Sequence, residues 1–424
     1  MKVLLAPHGT RGDVQPTLAL GIALRRRGHE VEVATPHDFA PWIESFGFTA
    51  HPISFNVSRT LRNSGDDSQK LGWQFRHLVE DLIPAQFESL PAICPDADII
   101  VGAGLQFAGP SVAESRGVPY IAALYCPVAI PSRHHAPPTM KWQRAPAPVN
   151  SLVWWVGRHL TDAVLRRPVN LGRRSLGLPP LTRPIDHLFS RAAILAADPS
   201  LAPAPPDNTG VATTGAWILE PAGLLDADVE VFLQGGEPPV YVGFGSMVTG
   251  DPDHLTRQVV EAVERAGCRL LLGSGWTGLG SRDEGLPSWC KVIHSAPHHL
   301  LFPRVAAVAH HGGAGTTTTA ARAGVPQIIV PHLLDQFYWA HRVHALGLGP
   351  KPLPIRRLNP ERFAARLKTV LREPAYLDRA AKLGTEIRAR DGCEAGAGIV
   401  EATAARFRKL SRGGQPFKQE DDEC

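Results

Sequence analysis

Val308-Ala309-His310-His311-Gly312-Gly313-Ala314-Gly315-Thr316-Thr317-Thr318-Thr319 runs from an apolar segment through three glycines into four threonines at a helical pattern. The glycines admit close backbone approach and the threonines bring hydroxyls. The free amides and dipole of a helix N-terminus favour an anion. A phosphate or diphosphate suits such a loop, and a glycine-rich turn capped by threonines is the alternative that the residues alone leave open. No Gly-Lys-Ser/Thr follows, so this is not a Walker A loop. Val305 to Ala309 before it and Ile328-Ile329-Val330 after it read as buried parallel strands.

Outward from that loop the same grammar repeats. Val240-Tyr241-Val242-Gly243-Phe244 is a strand followed by a second glycine loop, Gly243-Phe244-Gly245-Ser246. Asp251-Pro252-Asp253 opens a helix from Leu255 to Ala266, and Leu270-Leu271-Leu272 is the next strand. The first 35 residues form a strand–helix–strand unit: Val3-Leu4-Leu5-Ala6, a polar loop from His8 to Asp13, a helix starting at Pro16 and ending in Arg25-Arg26-Arg27-Gly28, then Glu30 to Ala34. Ile99-Ile100-Val101 and Tyr120-Ile121-Ala122 continue the series. The spacing predicts an α/β protein with two doubly wound sheets: a first domain over 1–205, a Pro/Gly/Ala-rich linker over 206–239, a second domain over 240–412 and a disordered polar tail over 413–424. Two such domains present a cleft between the carboxyl ends of their sheets, where ligands bind.

Composition narrows the class. The 424 residues exceed what one core usually serves, and 44% hydrophobic residues rule out a disordered chain. A net charge of +4 is too slight a bias to make nucleic acid the partner. No apolar stretch reaches the roughly 18 residues of a membrane span. The N-terminus lacks a signal-peptide pattern, and the six cysteines are scattered without a CxxC pair, so a reducing cytoplasm is expected. His294, His298 and His299 lie close together, as do His134 and His135, but no carboxylate or cysteine completes a ligand set, so no metal site is expected.

Several of these motifs, in this order, carry a resemblance. Val308 to Gln336, ending in Val330-Pro331-His332-Leu333-Leu334-Asp335-Gln336, resembles the donor-binding signature of the family-1 nucleotide-sugar glycosyltransferases of GT-B fold, and Gly9-Thr10-Arg11-Gly12-Asp13-Val14-Gln15-Pro16 resembles the opening loop of the glycopeptide-antibiotic and sterol glucosyltransferases. Phe244-Gly245-Ser246-Met247, Leu301-Phe302-Pro303-Arg304-Val305 and Pro350 to Pro354 look most like the sterol branch. The resemblance implies two Rossmann-like domains facing across a cleft, a nucleotide-sugar donor with UDP-glucose as first choice, no cofactor, and an apolar hydroxylated small-molecule acceptor such as a sterol or triterpenoid. A polyketide, macrolide or glycopeptide aglycone receiving a dTDP- or UDP-sugar is the second reading. Rivals are a nucleotide-sugar epimerase and a catalytically silent partner protein of the same fold.

Position by position, the resemblance places His311, Gly313, Gly315, Thr316, Thr317 and Ser246 on the donor diphosphate, with Thr10 and Arg11 approaching from the first loop. Asp335 and Gln336 would read the sugar hydroxyls, although Asp335 also sits where a helix N-cap belongs. Asp13 stands where much of the family has a histidine base, and Val101-Gly102-Ala103-Gly104 lacks the carboxylate that such a histidine would need. Asp13 is therefore expected as general base, with desolvation raising its pKa; its alternative role is a helix cap. Arg11 is equally an ion-pair residue. Ser295-Ala296-Pro297-His298 departs from the family's Trp-x-Pro-Gln, leaving His298 or Trp276 to meet the donor base, or Trp276 to serve packing alone. Residues 131–175 hold many arginines, Trp142, Trp154, Trp155 and Asp162 as sole acidic residue. Such a segment is either a peripheral membrane contact or a solvated face beside an acceptor pocket.

Overall fold

The computed structural model describes residues 1–53, 71–189, 192–207, 210–221, 223–245, 247, 251–275, 278–280 and 285–412. The tail from 413, Ser246 and Trp276 lie outside the described residues. Two parallel sheets organise the chain. The first contains β1 (Lys2–His8), β2 (Glu30–Pro36), β3 (Thr49–Ile53), β4 (Ile99–Gly104), β5 (Tyr120–Leu124), β6 (Ala193–Leu195) and β7 (Ala212–Thr213), in the order β3-β2-β1-β4-β5-β6-β7. The second contains β8 (Val240–Gly243), β9 (Leu270–Gly273), β10 (Cys290–Ile293), β11 (Ala307–His310) and β12 (Gln327–Ile329), in the order β10-β9-β8-β11-β12. This is the GT-B architecture.

Helices cover both faces. In the first half they are α1 (Arg11–Arg26), α2 (Ala40–Glu44), α3 (Leu71–Ser89), α4 (Gly109–Arg116), α5 (Ala147–Ser175) and α6 (Pro184–Phe189). The second half has α7 (Ala227–Gln234), α8 (Pro252–Ala266), α9 (His298–Leu301), α10 (Ala314–Ala323), α11 (Gln336–Ala345), α12 (Pro360–Arg372), α13 (Pro374–Arg388) and α14 (Gly392–Arg412). Burial on both sides explains the unbroken apolar strands: Val3 and Leu5 of β1 enter the core with α1, while Leu4 and Ala6 enter the core with α3 and α4. No helix among the described residues is long and apolar enough to cross a membrane.

Three features differ from the sequence expectation. Helix α1 begins at Arg11 rather than Pro16, because Thr10 and Asp13 form a capping box that nucleates the turn five residues earlier. The first sheet extends past residue 205, ending in β7 at Thr213. Helix α14, which the hydrophobic pattern alone cannot assign to a core, returns to the first sheet: Ala397, Val400 and Ala404 pack among Val3, Leu5 and Leu18. Arg27 clamps it there through Glu394 (3.0 Å) and Glu401 (2.6 Å).

The chain thus crosses between the sheets twice, and the crossings touch. Gly215, at φ +93°, lies against Gly392, and a Cβ on Gly392 would fall 2.5 Å from the Ala216 carbonyl and 2.6 Å from that of Gly215. Beside them Arg390 donates to both oxygens of the buried Asp198 carboxylate at 3.2 Å. A shared apolar cluster (Cys126, Val128, Ile130 and Leu201 with Tyr338, Trp339 and Val343) also joins the two halves.

Candidate active site at the cleft

Each sheet has one point where strand order reverses, and ligands of parallel sheets bind outside the carboxyl ends of the strands there. In the first sheet the point lies between β1 and β4; in the second it lies between β8 and β11. Asp13, Gly104, Gly245 and His311 stand at or just beyond the carboxyl ends of these four strands. The two groups face each other: the charge of Asp335 acts on Asp13, and that of Arg11 acts on His298.

Asp13 is the third residue of α1. Its Oδ2 accepts from the Thr10 amide (2.8 Å) and the Thr10 hydroxyl (3.3 Å), while Oδ1 takes no hydrogen bond among the described residues. Gly104, at φ +65°, leaves room for that oxygen, since a Cβ there would sit 2.8 Å from Oδ1 and 2.3 Å from the His8 carbonyl. Burial pushes the carboxyl pKa up to about 6, against the pull of the Thr10 hydrogen bonds and with a further push from Asp335. The Asp13 backbone carbonyl is held by Thr17 (2.9 Å) and Tyr125 (3.3 Å). The helix-cap role and a free, desolvated carboxylate oxygen therefore coexist in one side chain.

On the opposite loop, His310 is structural. Its Nδ1 accepts from the Gly312 amide (3.1 Å), and its Nε2 donates to Gln327 (2.9 Å), which locks the loop to β12. His311 differs. Its Nδ1 is buried with no hydrogen-bond partner among the described residues, a costly state that a ligand oxygen would relieve. Burial lowers its pKa to about 3, so the ring is neutral. It lies between Gly245 and Gly313: a Cβ on Gly313 would fall 2.5 Å from Nε2. Gly313 caps α10 without any side-chain cap, and Gly315 opens to free space. The first amides of α10 thus face outward beside the unpartnered imidazole.

Four of the expected ligand residues also make hydrogen bonds within the chain. The Thr10 hydroxyl accepts from the Gly12 amide (3.2 Å) as the α1 cap. The Thr317 hydroxyl donates to the Gly313 carbonyl (2.8 Å) within its own helix, leaving Thr316 as the half-buried threonine of that first turn. Gln336 Oε1 accepts from the amides of His332 (2.8 Å) and Leu333 (3.1 Å), so only its Nε2, beside Met247 at 3.3 Å, can turn to a ligand. Arg11 donates to Gln15 (3.0 Å) and lies over the Trp42 ring at 4.9 Å; it forms no ion pair among the described residues. His298 stacks on Phe302 (4.4 Å) with Nε2 at 3.4 Å from the Tyr241 hydroxyl, and burial lowers its pKa to about 4.

Asp335 occupies the N-cap position of α11 but makes no side-chain cap bond. Instead its Oδ2 accepts from Nε1 of the fully buried Trp339 (3.0 Å), and burial pushes its pKa up to about 6. Leu334, just before it, has φ +51°, a strained conformation for a γ-branched residue. Gly104 and Trp339 are contributions that sequence reasoning missed; the i, i+4 spacing of Asp335 and Trp339 was the available signal for the second. Among the described residues no cluster of three or more His, Cys, Asp or Glu could hold a metal ion.

Comparison with known proteins fits this geometry. Residues 3–131 match the glycosyltransferase family 28 N-terminal domain, and residues 279–402 match the erythromycin biosynthesis protein CIII-like C-terminal domain. The chain is 36% identical over 414 residues to glycosyltransferase GtfE of Amycolatopsis orientalis, covering 95% of this chain and 97% of that one. It is 36% identical over 354 residues to vancomycin aglycone glucosyltransferase of the same organism (82% and 85% covered). It is 32% identical over 442 residues to sterol 3-beta-glucosyltransferase of Emericella nidulans (strain FGSC A4), covering 97% of this chain but 30% of that longer protein. Among solved structures, glycosyltransferase VinC in complex with dTDP superposes with a TM-score of 0.70 at 22% identity, over 96% of this chain and 100% of that one. Spinosyn rhamnosyltransferase SpnG complexed with thymidine diphosphate gives 0.66 at 21%, over 97% and 100%; at such identities the likeness is one of fold. With full-length identity above a third and both domain models in order, the chain belongs to the family-1 nucleotide-sugar glycosyltransferases of GT-B fold.

Proposed function

We propose that the protein transfers a hexose, glucose from UDP-glucose first among donors, to a hydroxyl of a bulky apolar acceptor with inversion at the anomeric carbon. The observation that carries the reading is the opposition of two incomplete sites: a carboxylate with one free oxygen on Asp13, and an unpartnered imidazole beside an uncapped helix on His311 and α10. The acceptor O–H proton passes to Asp13 Oδ1 as its oxygen attacks the anomeric carbon and the bond to the diphosphate breaks. The departing charge meets the N–H of His311 and the amides at the start of α10. Asp335, aimed by Trp339, and Gln336 Nε2 hold the sugar hydroxyls.

Glucose ranks first because the vancomycin aglycone and sterol relatives, unlike in acceptor, are both glucosyltransferases by name. For the acceptor, a natural-product aglycone takes precedence over a sterol, since identity is higher and spans nearly all of the bacterial relative. The dTDP bound in structural neighbours keeps a thymidine donor in the assay. The test is mass spectrometry of UDP-glucose and dTDP-glucose with glycopeptide and macrolide aglycones, sterols and phenols, in EDTA. An acceptor heavier by one anhydrohexose supports transfer and names both substrates. Intact donor across the panel despite tight nucleotide binding points to a silent partner, and donor conversion without acceptor to an epimerase.

A further inference from the structure

Helix α5 has an inner face that fixes its rotation. Asn150, Asp162, Leu165, Val169 and Arg173 are buried; Asp162 accepts from the Ile185 amide (2.9 Å), and Arg173 forks onto Glu114 (2.9 and 3.2 Å). What remains turned outward is therefore set by the fold. Leu152 (60% exposed), Trp155 (60%), Val156 and Leu160 (64%) follow at i, i+3, i+4 and i+8, one exposed apolar stripe on which the ring of the exposed His159 lies against Trp155 at 4.3 Å.

Arginines continue the stripe. Arg166, Arg167 and Arg174, exposed and without an ion pair among the described residues, surround a shallow open hollow of about 330 Å³ with Ala163, Asn170 and Leu171. The sole carboxylate of residues 131–175, Asp162, is on the buried side, so no carboxylate of this segment stands on the outward face beside them. The other end of the helix leads to the cleft. Trp154 Nε1 donates to the His135 carbonyl (2.9 Å), Asn150 to that of Arg133 (3.0 Å), and Lys141 lies over the ring of Phe337 at 6.0 Å, two residues from Asp335.

We infer that this outward face of α5 docks on an anionic lipid bilayer, with Leu152, Trp155 and Leu160 entering the interface and Arg166, Arg167 and Arg174 taking lipid phosphates. The inference rests on the proposed reading that the acceptor is apolar, and it gives such an acceptor a short route from the bilayer to the cleft. Charge selects the occupant. A second copy of the chain, meeting this face by two-fold symmetry, would set the same arginines against one another, whereas anionic headgroups neutralise them.

The test is co-sedimentation of the full chain with phosphatidylcholine–phosphatidylserine vesicles at low salt, with pure phosphatidylcholine vesicles as control. The wild type is expected to pellet with the anionic vesicles and to release as salt rises. Two triple variants, Leu152→Glu/Trp155→Glu/Leu160→Glu and Arg166→Glu/Arg167→Glu/Arg174→Glu, are each expected to weaken partition by at least about tenfold. Their melting temperatures, and their rates with a small water-soluble phenol acceptor, should match the wild type, because these side chains lie on the surface and outside the cleft. Wild-type protein remaining in the supernatant overturns the inference. So do variants that pellet undiminished, or self-association through this face without vesicle binding. Vesicle binding with no transfer to any acceptor would instead count against the proposed function and leave the docking surface standing.

Discussion

Replacing Asp13 by asparagine separates its two roles. The asparagine carbonyl can still accept the Thr10 amide now bonded to Oδ2 at 2.8 Å, so the capping box loses little, at most about 1 kcal/mol. The free Oδ1, by contrast, loses its ability to take a proton, and a positioned general base contributes roughly 10²–10⁴ in rate. The expected variant folds, binds nucleotide as the wild type does, and turns over about a hundredfold or more slower. The pH profile supplies an independent check. With the free-enzyme carboxyl pushed up to about 6, the wild-type kcat/KM should fall about tenfold per pH unit below that value and level off above it, because only the ionised form is a base. Asp335→Asn removes a like charge and should move this acid limb to lower pH, the direction opposite to that of burial. Initial rates of donor consumption, across a buffer series and with acceptor in excess, measure all three quantities. An Asp13→Asn enzyme within about tenfold of wild type, or an acid limb at the ordinary carboxylate value, would refute the assignment of the base.

Other perturbations reach the same site from different sides. Trp339→Phe keeps the packing but deletes the 3.0 Å bond to Asp335; the donor KM should rise several-fold and discrimination among hexose epimers should shrink, with little change in nucleoside diphosphate affinity. Unchanged sugar selectivity would mean that Asp335 does not read the sugar. Gly104→Ala places a methyl 2.3 Å from the His8 carbonyl at φ +65°, so a loss of about 2 kcal/mol or more in denaturant unfolding should accompany a fall in kcat. An active, equally stable alanine variant would show that Asp13 needs no such clearance. His311→Ala should weaken nucleoside diphosphate binding by roughly 10–100-fold in calorimetry, the worth of one hydrogen bond to a charged group. With its pKa lowered to about 3 the ring is already neutral, so wild-type affinity should not fall as pH rises from about 6 to 8. A steep loss there would instead reveal an imidazolium.

How much of this was legible in the sequence depends on the range of the forces involved. Parallel strands buried on both faces write themselves as apolar runs, so β1, β4, β8 and β11 stand where expected, and with them the two switch points. The start of α1 was misplaced because Thr10-Arg11-Gly12-Asp13 reads as loop until the reciprocal cap is seen. Thr10, Thr317 and Gln336 have the right chemistry for a ligand, yet each spends its donor or acceptor on a backbone group a few residues away. That competition is decided by rotamers, which sequence does not carry. The return of α14 is less legible still. Ala397, Val400 and Ala404 mark an apolar face, and nothing in their spacing says which of two cores it covers.

That return sets the connectivity of the chain. Polypeptide leaves the first sheet after Thr213 and re-enters its core with α14, through crossings that touch at Gly215 and Gly392. The sheet carrying His311 and Asp335 is therefore an insert whose two covalent connections to the first sheet run side by side at a pair of glycines. A graft cut at these two glycines would keep α14, with Arg27, Glu394 and Glu401, on its own first sheet. A single cut in the linker would instead strand α14 on a foreign partner, while a chimera joined at the two glycines has only to match Trp217 and Leu219, which belong to the insert but pack in the first core, and the shared cluster around Leu201 and Trp339.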